Sequence, residues 1–171
     1  HEKNLRNTGA KEYDREPDII FNLNRSGIGT VLSRNDFRDN RNNSIVVQSA
    51  HSLIEGNRIA RVGIGVRLGA FLTWKEGPGP ANVICRDNTF TDCSAGIQSG
   101  YQLITRKNAP CRPLRDFRVT DNHFRQGDHA ISLDNVENIF LRGNTIEGET
   151  IISLGNTGPI QAVDNRKNGK L

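Results

Sequence analysis

The chain has no methionine, one tryptophan, two tyrosines and three cysteines in 171 residues. Cys85, Cys93 and Cys111 are odd in number and show no C-x-x-C spacing, so thiol–disulfide and zinc motifs are excluded. Two arrangements stay open: Cys93 pairs with Cys111, or all three are unpaired thiols with one in the core. No apolar run approaches the roughly 18 residues of a membrane span, and no signal-peptide pattern opens the chain, so export would make this a mature or internal portion. Charge of one sign is nowhere concentrated. The formal net charge of +4 is spread along the chain, which argues against nucleic acid as a partner. His51, His123 and His129 do not have metal-ligand spacing, so no metal or other cofactor is expected. Sustained helical periodicity is lacking as well, which excludes helical repeats.

What the chain does have is one pattern repeated six times. The units are Leu32-Ser-Arg-Asn35-Asp-Phe37, Ile54-Glu-Gly-Asn57-Arg-Ile59, Cys85-Arg-Asp-Asn88-Thr-Phe90, Val119-Thr-Asp-Asn122-His-Phe124, Leu141-Arg-Gly-Asn144-Thr-Ile146 and the degenerate Ala162-Val-Asp-Asn165-Arg-Lys167. Their asparagines are separated by 22, 31, 34, 22 and 21 residues, the two long intervals carrying an insertion each. This predicts an all-β chain, a right-handed parallel β-helix of five to six coils over residues 26–167. A polar segment, 1–25, precedes it and a short tail, 168–171, follows. Identical positions of successive coils then lie about 4.8 Å apart, stacking the residue three before and the residue two after each Asn into apolar columns. The Asn column fits a tight bend, with Asn taking the left-handed backbone and its amides bonding up the stack.

A second strand recurs at Ser44–Gln48, Gly65–Gly69, Ala95–Ser99, Ala130–Asp134 and Ile151–Gly155. Alternation turns Ile45/Val47, Val66/Leu68, Ile131/Leu133 and Ile152/Leu154 inward. It turns Ser44, Val46, Gln48, Arg67, Gln98, Ser132, Asp134 and Ser153 outward. Two inserts, 70–81 and 101–115, leave the repeat just after this strand and would wall the same face, where sites on rigid scaffolds tend to sit. The first holds Trp74 and Glu76; the second is basic, with Arg106, Lys107, Arg112 and Arg115. An indole can stack on a sugar's apolar face, and Arg67, Gln98, Glu76 and Asp134 suit hydroxyl recognition. Each has a plainer reading: Trp74 packing its own loop, Arg67 and Gln98 solvated, Asp134 capping the Asp-Asn turn. The three histidines read as structural. The N-terminal side shows no capping pattern, so further coils from the same or another chain are expected below it.

In its order of units and inserts the sequence resembles the exo-acting α-1,3-galactosidases, glycoside hydrolases on a β-helix scaffold. The resemblance rests on Asn40-Arg-Asn-Asn-Ser-Ile-Val-Val, Leu53-Ile-Glu-Gly-Asn-Arg-Ile and the Trp74-Lys-Glu-Gly insert running into Asn82-Val-Ile-Cys-Arg-Asp-Asn-Thr-Phe. It continues through Phe117-Arg-Val-Thr-Asp-Asn-His-Phe and Asn138-Ile-Phe-Leu-Arg-Gly-Asn-Thr-Ile. It implies a secreted or periplasmic bacterial enzyme that releases terminal galactose from an oligo- or polysaccharide by metal-independent inversion. The family's carboxylates lie near a Gly-Asp-Asp motif in an earlier coil. This chain has no Asp-Asp pair, and Gly127-Asp128-His129 lies in the wrong coil, so no catalytic acid or base is assigned. Two other functions fit the same repeat. A polysaccharide lyase or epimerase acting on uronic acids would use the basic insert, and a non-enzymatic adhesin or fibre segment would use the open end.

Overall fold

The computed structural model describes residues 28–70, 80–101, 114–155 and 157–169. Trp74, Glu76, Arg106, Lys107, Cys111, Arg112 and the 1–25 segment lie outside the described residues. The described chain is all-β, and each of its strand pairings is parallel. One sheet runs β1 (Val31–Ser33), β4 (Leu53–Glu55), β6 (Ala81–Arg86), β8 (Leu114–Thr120), β10 (Val136–Arg142) and β13 (Ile160–Val163). The other runs β14 (Arg166–Lys167), β11 (Thr145–Glu147), β9 (His123–Leu133), β7 (Thr89–Tyr101), β5 (Arg58–Ala70) and β2 (Asp36–Arg38), with β12 (Ile151–Leu154) beside β9 and β3 (Asn43–Val47) beside β5. Each repeat therefore adds one strand to each sheet, directly beside the strand of the previous repeat.

The register makes the repeated positions true columns. Leu32, Ile54, Cys85, Val119, Leu141 and Ala162 are in line, as are Phe37, Ile59, Phe90, Phe124, Ile146 and Lys167. The middle members are buried, and Phe90 and Phe124 stack with centroids 4.8 Å apart. Room for that stack comes from two glycines, since a Cβ on Gly65 would meet the Phe90 ring at 2.8 Å and one on Gly96 the Phe124 ring at 2.6 Å.

The asparagines form an unbroken ladder. The backbone N–H and Nδ2 of Asn35, Asn57, Asn88, Asn122 and Asn144 each donate to Oδ1 of the next Asn, at 2.7 to 3.2 Å. The other Nδ2 hydrogen reaches the carbonyl of the inward apolar residue one repeat back, Leu32 for Asn57 through Leu141 for Asn165. Every amide buried at the corner thus finds a partner, which is why Asn57, Asn88, Asn122 and Asn144 tolerate near-complete burial.

Three expectations need correction. The left-handed residue at this corner is not Asn but the one before it: Arg34, Gly56, Asp87, Asp121, Gly143 and Asp164 all have φ between 53° and 64°. Asn cannot occupy that position and also aim its amide along the stack. A second left-handed column lies four residues after each Asn, at Asp39, Arg61, Asp92, Gln126 and Gly148. There Arg61 donates to both carboxylate oxygens of Asp39, at 2.6 and 2.9 Å, and its guanidinium holds that carboxyl below its ordinary value. Ser44 does not face solvent: its Oγ is buried without a hydrogen-bond partner. The consecutive pairs Gly65/Val66, Gly96/Ile97 and Ala130/Ile131 are all buried, so strict alternation breaks at this bend. Ile152, placed inward by alternation, is 38% exposed because the last repeat has no described neighbour above it.

Cys85 and Cys93 are both free and buried, so two thiols rather than one lie in the core. Burial pushes the Cys85 thiol up to about 12 and the Cys93 thiol up to about 11. Because the thiolate is the reactive form, a Cys111→Ser variant is expected to resist a thiol-specific reagent at pH 8 while folded and to react at both remaining thiols in denaturant. Labelling of the folded variant at the unfolded rate would contradict the burial.

Candidate functional sites on the two outward faces

On the sheet containing β5, β7 and β9, one outward column reads Val46, Arg67, Gln98, Ser132 and Ser153. Their apolar flanks, Ile45, Val66, Ile97 and Ile131, are buried beneath, so the strands hold these side chains in a fixed row. Arg67 and Gln98 stand on adjacent strands, about 4.8 Å apart along the stack. The row offers a guanidinium, an amide and two hydroxyls at a constant step, which matches a ligand carrying many hydroxyls.

Asp134 is placed apart from that row. It follows β9, where its N–H donates to Ser99 Oγ at 2.7 Å and its carbonyl accepts from the same hydroxyl at 2.9 Å. Asn135, at φ 56°, donates to the Asp134 carboxylate at 3.0 Å. The turn-capping role is therefore present, and the carboxylate remains exposed. Asp128 lies inside β9 rather than ahead of it. It stands six residues before Asp134, with the bend at Ala130/Ile131 between them, and the two carboxylates share no contact. On its described residues this face does not supply both an acid and a base. Among the described residues no three His, Cys, Asp or Glu side chains converge.

The other sheet presents a feature that the sequence reading missed. Its outward column, one residue before the inward apolar position, reads Val31, Leu53, Ile84, Arg118, Phe140 and Gln161. Alternation calls for polar residues here, yet four of these six are apolar, and that excess was the available signal. Beside it runs a third left-handed column, His51, Asn82, Asp116 and Asn138, with φ between 52° and 60°. Between the two columns lies an open groove of about 870 Å³. Asn138 Nδ2 donates to Asp116 Oδ1 across adjacent strands at 3.0 Å. On the groove's far side Arg86 is taken up by Glu55 at 2.6 Å, and Arg142 lies 3.7 Å from Asp121. His123, by contrast, sits on the second sheet against Glu147 at 2.8 Å, a surface contact remote from this groove.

Comparison with protein-family models and with curated proteins finds no match to this chain.

Proposed function

We propose that the two sheets are faces of one right-handed parallel β-helix, and that the chain is the substrate-binding part of a secreted or periplasmic bacterial glycosidase that acts on terminal α-galactosides. Three features support the helix: one-repeat registers in both sheets, the continuous Asn ladder, and left-handed bends recurring at fixed offsets. Crossovers between parallel strands of one sheet are right-handed in about 98% of cases, which sets the hand.

The observation that carries the functional reading is the row Arg67, Gln98, Ser132 on adjacent, in-register strands, next to the points where both inserts leave them. Donors at a constant step engage successive hydroxyls of a saccharide, and Trp74 supplies the stacking surface. The missing carboxylate pair belongs to residues beyond this row, in keeping with an acid and base carried by earlier coils.

The test is binding of an α-1,3-linked galacto-oligosaccharide, followed by titration calorimetry. Trp74→Ala and the pair Arg67→Ala/Gln98→Ala are each expected to weaken it roughly tenfold, or 1.4 kcal/mol. Unchanged affinity in both variants would sink the assignment of this face. An intact, upstream-extended protein that releases no galactose would sink the glycosidase itself.

A further inference from the structure

From the groove on the opposite sheet, we infer a second binding site, for an acidic oligosaccharide such as a uronate chain. It is independent of the α-galactoside reading, because it uses a different sheet and different residues. The groove crosses β4, β6, β8, β10 and β13, four strand spacings or about 19 Å, long enough for several sugar units. Its volume of about 870 Å³ falls in the range of ligand sites rather than of surface roughness.

Its chemistry is that of a charged saccharide. Ile84 and Phe140 flank Arg118 on consecutive strands, so a guanidinium projects between two apolar platforms. Arg118 makes no ion pair with any described residue, whereas its neighbours Arg86 and Arg142 each have a carboxylate close by. A planar fork with no ion pair among the described residues is suited to a carboxylate, bound bidentately, while the Phe140 ring suits the C–H face of the adjoining sugar. Along one rim Asn82, Asp116 and Asn138 are fixed by left-handed backbone and by the Asn138–Asp116 bond. Asp116 Oδ2 has no described partner and accepts a sugar hydroxyl. With Arg142 matched by Asp121, Arg118 is the groove cation that has no carboxylate of its own among the described residues, and it favours a chain that brings one. An apolar peptide would leave Arg118 and the amide rim desolvated without partners.

The experiment titrates the folded protein with an oligogalacturonate and, separately, with a neutral galacto-oligosaccharide. Saturable binding of the acidic chain is expected. Arg118→Gln should weaken it about tenfold, and Phe140→Ala at least several-fold, with thermal melts showing both variants folded. Arg67→Ala on the other sheet should leave this binding unchanged. The inference is overturned if the neutral chain binds the groove as tightly, if Arg118→Gln retains full affinity for the uronate, or if no saturable uronate binding occurs. Because Arg118 is exposed and makes no described ion pair, its variant remains informative even if Phe140→Ala proves unstable.

Discussion

Asn122→Asp should destabilise the protein by about 3–5 kcal/mol at pH 7, and the loss should shrink in acid. The exchange is nearly isosteric and keeps the Oδ1 acceptor for Asn88 N and Nδ2, both at 3.0 Å. It removes the donor. Nδ2 of Asn122 faces Cys85 O at 2.9 Å, Thr120 O at 3.0 Å and Asn144 Oδ1 at 3.1 Å, three acceptors that a carboxylate oxygen would repel. Asn122 is 1% exposed, so water cannot substitute. The new carboxyl is thus held protonated when folded, its value raised above the ordinary ~3.9 of the unfolded chain. The folded state then binds more protons than the unfolded state. Relative to the parent protein, the variant fares best below pH ~3.9 and loses stability as pH rises through the raised folded value. Asn122→Ala removes both donor and acceptor without a charge, and its deficit should not vary with pH. Urea midpoints for the three proteins at pH 7 and pH 4.5 decide the matter. Equal acid responses for the Asp and Ala variants would show that Asn122 is not held in a water-free ladder. The same exchange at Asn35, which is exposed at the edge of the ladder, should cost far less.

The ladder was legible in the sequence because a repeated Asn between two apolar positions leaves few other roles for its amide. The inward columns were legible for the same reason: period-2 alternation says which face a residue takes. Alternation says nothing of what stacks above, so Ile152 was placed correctly by parity and wrongly by burial. It also fails wherever the backbone bends within a strand, as at Ser44. The left-handed corner was misassigned because Asn, Asp and Gly share the same tolerance for positive φ, and Arg34 in that column carries no compositional mark. Of the five substrate-binding candidates, Arg67 and Gln98 come together as neighbours, and Asp134 stands apart at its turn. The groove containing Arg118 and Phe140 was hidden in the repeat itself, where one residue before the inward position is apolar too often for a solvated face.

Among the described glycines, Gly127→Ala should be the costliest exchange, at about 3 kcal/mol or more. Gly127 has φ 147°, which side chains rarely adopt, and it pairs with Cys93 between β7 and β9. A Cβ there would lie 2.2 Å from Cys93 O, 3.2 Å from Cys93 C and 3.3 Å from Cys93 N. All three are backbone atoms of an inner strand, so relief requires parting the two strands rather than rotating a side chain. The Cys93 and Phe90 packing next to that contact would be strained with it. Gly148→Ala separates the two effects. Its φ is 78°, but a Cβ meets nothing within 4 Å, so it reports the left-handed strain alone, about 1–2 kcal/mol. Thermal unfolding of both variants checks the difference: at ~2–4 °C per kcal/mol for a chain of this size, Gly127→Ala should melt clearly below Gly148→Ala. If the two melt together, the close approach of β7 and β9 is not a constraint on the fold.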